Sequence, residues 1–320
     1  MTASDSSRAV WQISGGPASR AYAEVSLRHG VALIGPGDAG SWNPERDDDE
    51  FEGGFVRRFA SEVKPGTYSC CGQVATIAAV GLVASDYLYV NAFDDVNGWD
   101  LQHARRVRWF RLPAEHAFGG AAFGANPPRC SRVWNEDVVD FAERFLKSPP
   151  THWQTAPLPE LPAEEPPLTQ VPGALQGIVA EAADLVPLLQ DGPSFGGHPS
   201  EDELIAHFVV PFLRALGWPP ERIAVQWRHI DVAVFRALPR TPENCHLVIE
   251  AKRLGAGVEG ALYQAKGYVE ALELRRDVIV TDGIRYRMYA GERDFAPVAY
   301  ANLARLKQPA ADLFARMQRP

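Results

Sequence analysis

Cysteine is scarce in this 320-residue sequence, and the four present, Cys70, Cys71, Cys130 and Cys245, show no Cys-x-x-Cys spacing. That excludes an evident zinc ligand set and a disulfide-stapled secreted framework, so a reduced cytoplasmic setting is expected. Long apolar runs are missing as well: the stretch around Val74 to Ala84 is too short to span a bilayer, and no membrane partner is expected. The opening residues, MTASDSSRAVWQISGG, lack a basic segment followed by an apolar one, which argues against a secretory signal. No GxxxxGK[ST] phosphate loop occurs, so ATP-driven translocation by this chain is not expected. Positive charge is not in excess either. With 32 Lys and Arg against 40 Asp and Glu the net charge is −8, which excludes a polybasic nucleic-acid coat but not an enzyme that meets phosphate through local patches. Arg57-Arg58, Arg105-Arg106-Arg108, Arg275-Arg276 and Arg285-Arg287 are such patches, or else solvated faces.

What is present reads as globular, with 46% hydrophobic and 22% charged residues and length enough for two domains. The text SPPTHWQTAPLPELPAEEPPLTQVP, from Ser148 to Pro172, is proline-rich and reads as an extended linker; a helix from about Leu175 to Leu189 and a Gly/Pro-rich stretch from Gly192 to Pro199 follow. The expected organisation is a first domain over 1–147, a linker with a connecting helix over 148–199, and a second domain over 200–320.

In the second domain, HIDVAVF places Asp231 on an apolar strand and HLVIEAK places Glu250 and Lys252 on the next. Residues two apart on a strand share a face, so Glu250 and Lys252 point together while Ala251 faces the apolar layer. Charges at the centre of buried strands are costly and usually serve chemistry. Hydrolysis of a phosphodiester calls for hard divalent cations, which select carboxylate oxygens such as those of Asp231 and Glu250, with an ammonium beside them to orient water. A helix is expected from Ser200, an N-cap with Glu203 three residues on, burying Phe208, Val209, Phe212, Leu213 and Leu216. Gln264 and Tyr268 lie four apart and share a helix face. His229, two residues before Asp231, reads as a solvated histidine at a strand end rather than a metal ligand.

From about Ser200 to Ala290, the ordered blocks SEDELIAHFVVPFLRALGW, HIDVAVF, VIEAKRL, YQAKGYVEA and VIVTDGIRYRMY resemble the PD-(D/E)xK nuclease superfamily, specifically the N-terminal nuclease domain of type I restriction enzyme R subunits. The resemblance implies a mixed sheet flanked by helices and Mg²⁺-dependent cleavage of DNA, with Mn²⁺ as a substitute. It implies a metal site of Asp231 and Glu250 with Lys252 alongside, and a helical glutamate approaching from the first helix. Glu201 is the better match, ten residues before Pro211, and Glu203 competes with it. Gln264 and Tyr268 match the family's Gln-x-x-x-Tyr motif, whose part is to hold the catalytic carboxylate and the DNA backbone.

The first domain reads mostly as short strands, VWQIS, VALIG, TIAAVGLVA, YLYVNAF and VRWFRL, with helices around Ala18 to His29, Phe51 to Ser61 and Asn135 to Lys147. A small barrel-like β domain with helices outside is expected. The order of elements, including the glycine-rich IGPGDAGSW and the EVKPGTY turn, resembles the PUA-related group with its EVE and YTH domains, although TYSCCG departs from the apolar strand that should follow the turn. That resemblance implies a pocket for a flipped, modified base. Trp11, Trp42 and Trp99 are the candidate aromatic walls, with Ser14, Gly35 and Asp38 on the rim. Core packing is the competing reading for Trp11 and Trp109.

The expected fold class is thus α+β in two domains: a small PUA-like β-barrel with flanking helices, then an α/β PD-(D/E)xK restriction-endonuclease-like mixed sheet. The expected function is modification-dependent, type IV-like restriction of double-stranded DNA carrying a modified base, by a homodimer where both strands are cut, in defence against phage. A nuclease gated by a small nucleotide or RNA end, and an idle DNA-binding module, are the alternatives.

Overall fold

A computed structural model describes residues 9–17, 20–38, 40–44, 54–73, 76–119, 123, 129–147, 153, 155–190, 199–254 and 256–319. The chain divides into two units, Met1–Glu164 and Glu165–Pro320, and each mixes helices with one sheet. Among the described residues, no helix is long and apolar enough to cross a membrane.

In the first unit the β-branched and aromatic runs form β1 (Val10–Ser14), β2 (Val31–Ile34), β3 (Tyr68–Gln73), β4 (Thr76–Val83), β5 (Leu88–Tyr89), β6 (His103–Ala117) and β7 (Cys130–Arg132). The helices are α1 (Ala23–His29), α2 (Phe55–Ser61) and α3 (Glu136–Lys147). Strands pair in the order β2-β6-β4-β3-β1-β7, with β5 beside β6. β1 and β2 lie toward opposite ends of this order, yet Trp11 and Ile13 share one buried cluster with Ala32, Ile34 and, from α2, Val56 and Phe59. The sheet therefore curls into a half-barrel; among the described residues its pairing does not close. β4 passes β6 so closely that a Cβ on Gly81 would lie 2.5 Å from Val107 Cγ1, so only glycine fits there. TYSCCG is a strand despite its composition: β3 sits between β1 and β4 and buries both Cys70 and Cys71.

The arginine run of β6 is used internally. Arg105, 1% exposed, donates to Phe59 O (3.0 Å) and Ala60 O (2.6 Å), satisfying carbonyls at the end of α2, and to Ser85 O (3.0 Å) after β4. Arg106 donates to Pro159 O, and Arg108 to Trp153 O and Ala156 O. With Trp153 Nε1 donating to Trp109 O (2.8 Å), Trp153, Ala156 and Pro159 of the proline-rich stretch lie along the first unit. Leu168 N donates to Leu306 O and Gln308 N to Pro166 O, so the residues after Glu164 belong to the second unit. The proline-rich stretch is divided between the two.

The second unit has β8 (Ile223–Trp227), β9 (Ile230–Phe235), β10 (Cys245–Ala251), β11 (Val278–Thr281), β12 (Arg285–Ala290) and β13 (Ala296–Asn302), paired in the order β13-β12-β11-β10-β9-β8. Its helices are α4 (Gln176–Gln190), α5 (Glu201–Leu204), α6 (Val210–Ala215), α7 (Ala261–Ala271) and α8 (Ala310–Met317). β10 and β11 are parallel, joined through α7, while the other pairs are antiparallel. The sheet is mixed, as expected. Strand periodicity divides its two faces: Leu247, Ile249 and Ala251 pack with Leu204, Phe208, Phe212 and Phe314, and Val248 and Val280 pack with Ala261, Ala265 and Val269 of α7. Leu175, Ile178 and Ala182, on the connecting helix, are buried in the first of these layers. Of the stretch Gly192 to Pro199, all but Pro199 lies outside the described residues.

The helix starting at Ser200 is interrupted by a π-helical stretch, Ile205–Val209, before α6. Pro211 lacks the N–H that a continuous α-helix needs and crowds the preceding turn, which widens instead. The expected buried face survives: Phe208, Val209, Phe212, Leu213 and Leu216 are all in the core.

Candidate metal centre and aromatic loop

The register of β9 on β10 pairs Val232 with Ile249, which sets Asp231 and Glu250 on adjoining strands at one end of the sheet. Asp231 is held from two sides. Its Oδ2 accepts from the backbone N–H of Ala251 (2.8 Å), and its Oδ1 accepts from Gln226 Nε2 (3.3 Å). Lys252 Nζ donates to Glu250 Oε1 (2.7 Å) and stands 3.9 Å from Glu201 Oε2. Ser200 caps α5 and the Glu203 carboxylate closes the capping box, accepting from Ser200 N at 2.7 Å. Glu203 is therefore committed to the helix end, and Glu201 is the glutamate that faces Lys252.

Glu250 is 0% exposed, and its Oε2 is buried with no hydrogen-bond partner. Burial pushes its carboxyl up to about 7; the Lys252 hydrogen bond pulls the other way and the neighbouring Asp231 charge pushes further up. Burial pulls the Lys252 ammonium down, but the hydrogen bond and charge of Glu250, with Glu201 and Asp231, outweigh it and hold the pKa above its ordinary value. Lys252 thus stays cationic at neutral pH.

Among the described residues, no group of three or more His, Cys, Asp or Glu side chains stands close enough to hold a metal ion as they lie. The donors nevertheless suit a hard divalent cation: two carboxylates on adjoining strands, one with an orphaned buried oxygen, and a third carboxylate 3.9 Å from the ammonium. Asp231 and Glu250 are the residues that would hold it, with Glu201 nearest in reserve.

Gln264 and Tyr268 lie on α7, where Gln264 Nε2 donates to Tyr268 Oη (2.7 Å). Gln264 is exposed, while Tyr268 packs partly against the core beneath α7. His229 is exposed at the tip of the β8–β9 hairpin.

The candidate base-binding residues of the first unit are more dispersed. Trp11 is 3% exposed and lies within the core. Trp99 packs edge-on to Tyr22, donates from Nε1 to Arg20 O (2.9 Å), and carries the Arg20 guanidinium 4.0 Å over its ring. Ser14 Oγ accepts from Gly16 N (3.1 Å). Gly35 O accepts from Arg129 Nη1 (2.8 Å), and a Cβ on Gly35 would lie 1.9 Å from Asp100 O. Asp38 is buried on the same loop.

Trp42 ends that loop, half-buried at the margin of the Trp11 core, with Tyr87 edge-on to its ring at 6.3 Å. Its backbone N–H donates to Tyr87 Oη (2.9 Å), and Tyr87 Oη in turn meets His103 Nδ1 (2.7 Å). His103 Nε2 lies 2.7 Å from Pro36 O, a carbonyl that can only accept, so Nε2 carries the proton and Nδ1 accepts from Tyr87. Tyr89 Oη donates to Gly37 O (2.6 Å) and sets its ring edge-on to His103. Tyr87, Tyr89 and His103 thus join Trp42 around the loop. They escaped sequence reasoning because only the pairing of β5 with β6 brings them to it. The one available cue was the density of tyrosine in DYLYV.

Arg285 and Arg287, candidates for phosphate contact by sequence, are 5% and 1% exposed and pair with Asp282 and Glu259. They serve the fold of the second unit.

No protein-family model matches this chain, and no curated protein matches it by sequence. Among solved structures, a fragment of a putative HsdR subunit of a type I restriction enzyme from Vibrio vulnificus YJ016 is similar, at 20% identity and a TM-score of 0.26. The match covers 38% of this chain and 25% of that one. So slight an overlap leaves the site to be read from its own side chains.

Proposed function

We propose that this chain is a modification-dependent DNA endonuclease, whose second unit is of the PD-(D/E)xK type and hydrolyses phosphodiesters with Mg²⁺. The observation that carries the reading is the meeting of Asp231, Glu250 and Lys252 at adjoining strand positions, with one Glu250 oxygen buried and unpartnered. A divalent cation bound there would neutralise the charge that builds on the phosphoryl oxygens. Asp231 and Glu250 would hold it, and the backbone N–H of Ala251 fixes the orientation of the Asp231 carboxylate. Lys252, cationic at neutral pH, cannot take a proton from water; it orients the attacking water and steadies the phosphoryl charge. In the hydrolysis, water oxygen bonds to phosphorus, the bond from phosphorus to the leaving sugar oxygen breaks, and that oxygen gains the proton. Gln264, exposed on α7, and Tyr268, which bonds it from a half-buried place on the same helix, are assigned to the DNA backbone. One such site cuts one strand, so a double-strand break takes two copies of the chain or two successive nicks.

The first unit is assigned the modified base. Support comes from the loop residues 35–38 and 40–42, pinned through His103 and Tyr87, with half-buried rings of Trp42, Tyr87 and Tyr89 at their side. Flat rings are what an extruded base stacks on. The test is digestion of matched plasmids, unmodified or carrying modified cytosine or adenine, with Mg²⁺ or Mn²⁺. Cutting confined to a modified plasmid is expected. Equal cutting of all would reject the assignment of the first unit, and no cutting of any would reject that of the second.

A further inference from the structure

The β8–β9 hairpin carries more backbone strain than its turn requires. Trp227 pairs with Ile230, leaving Arg228 and His229 as a two-residue turn with φ of +51° and +68°, the left-handed pair that such a turn demands. Gln226 also has a left-handed φ, +54°, yet it lies before the turn and within β8, where nothing in the turn calls for it. A left-handed conformation is unfavourable for any residue with a Cβ, and such outliers persist where the surroundings over-determine them. In the register set by Val225–Val232 and Trp227–Ile230, Gln226 falls opposite Asp231, and its amide donates to Asp231 Oδ1 at 3.3 Å. The other Asp231 oxygen is held by Ala251 N at 2.8 Å, so Gln226 supplies the second of two anchors. The amide is exposed, which makes a purely stabilising role for this bond slight.

We propose that Gln226 is a positioning residue: its strained backbone aims the amide at Asp231 and fixes the carboxylate in the orientation that, with Glu250, holds a divalent cation. This rests on the reading of Asp231 and Glu250 as cation ligands. Outer partners of metal-binding carboxylates typically change metal affinity by about ten- to a hundredfold when removed.

The experiment is Mn²⁺ binding to the full chain without DNA, followed by electron paramagnetic resonance, alongside thermal unfolding in chelator. Wild type, Asp231→Asn, Gln226→Gly and Gln226→Ala are compared. Glycine relieves the left-handed strain while removing the amide, so Gln226→Gly should melt no lower than wild type, by the conformational logic of positive φ. It should also bind Mn²⁺ about tenfold more weakly. Gln226→Ala, which keeps the strain, should weaken Mn²⁺ to the same degree. Unchanged Mn²⁺ affinity in both variants, where wild type binds and Asp231→Asn does not, would overturn the role of Gln226 and leave the metal site standing. A lower melting temperature for Gln226→Gly would also overturn it, by making the residue structural. Failure of wild type to bind Mn²⁺, or full binding by Asp231→Asn, would remove the metal site and the inference with it.

Discussion

His103 in the first unit and Glu250 in the second are polar groups buried to opposite ends. In the first, His103 has both ring nitrogens bonded, Tyr87 Oη serves Trp42 N and His103 together, and Arg105 is spent on three carbonyls. In the second, Glu250 is as deeply buried as His103 but keeps an oxygen without a partner and a carboxyl pushed up to about 7. A buried group with all its partners stabilises the segment it touches, whereas one left short costs stability and marks a place where something else binds. Burial alone separates neither case; the count of satisfied atoms does.

The sharpest way to break that contrast is to remove Glu250. Glu250→Ala should lower DNA cleavage by more than about a hundredfold, measured as single-turnover rate with saturating Mg²⁺. It should leave the melting temperature in chelator at or above that of wild type, because a costly buried carboxyl goes with it. Lys252→Ala should lose cleavage too but melt lower, since it strips Glu250 Oε1 of its hydrogen bond. If Glu250→Ala unfolds the second unit instead, the carboxylate is structural and Glu250 does not differ from His103 as described.

The tryptophans sharpen the same comparison within the first unit. Trp11→Ala removes a core side chain 3% exposed, and should cost about 3–5 kcal/mol in denaturant unfolding. Trp42→Ala, at the margin of that core, should cost less stability and show instead in binding. Preference for modified over unmodified duplex is expected to fall by about 1–3 kcal/mol, the value of one stacked base. A Trp42→Ala variant that keeps its preference would move the base elsewhere. Tyr87→Phe falls between the two: losing a hydroxyl bonded to both Trp42 N and His103 should cost about 1–3 kcal/mol by thermal unfolding.

Where the sequence was legible, periodicity or composition spoke for a single element. The alternation in HLVIEAK separates Ile249 and Ala251 from Val248 and Glu250, and the faces of β10 follow it. The Ser200 capping box and the apolar stripe through Leu216 fix the first helix of the second unit, even with Pro211 interrupting it. What stayed hidden depends on partners far apart in the chain. TYSCCG has no aliphatic residue, and only its place between β1 and β4 makes it a strand. Arg105, Arg106 and Arg108 look like a phosphate-binding run until the carbonyls they meet, at Phe59, Pro159 and Ala156, are brought beside β6. The sequence prefers Glu201 to Glu203 only by its spacing from Pro211; the cap that Glu203 makes with Ser200 is what leaves Glu201 to face Lys252. Gln226 carries no motif at all, and its link to Asp231 is a cross-strand pairing.

A last and smaller test concerns a buried carboxylate of the second unit that does have partners. Asp282 Oδ1 accepts from Ile284 N (2.9 Å) and Arg285 N (2.6 Å), and Oδ2 faces Arg285 Nη1 at 3.5 Å. Burial pushes its carboxyl up from 3.8 to about 6, against the downward pull of those backbone bonds. The folded protein thus holds this proton more tightly than the unfolded chain does. Its contribution to stability is fully present below 3.8 and is lost as pH rises through about 6. The full swing is on the order of 3 kcal/mol. Asp282→Asn keeps the acceptor that closes the β11–β12 turn and abolishes the titration. The difference in melting temperature between Asp282→Asn and wild type should therefore shift in favour of the variant as pH rises from 4 to 6. A difference that stays flat would mean that Arg285 and the backbone already hold Asp282 ionised across this range, so that partners outweigh burial at this carboxylate.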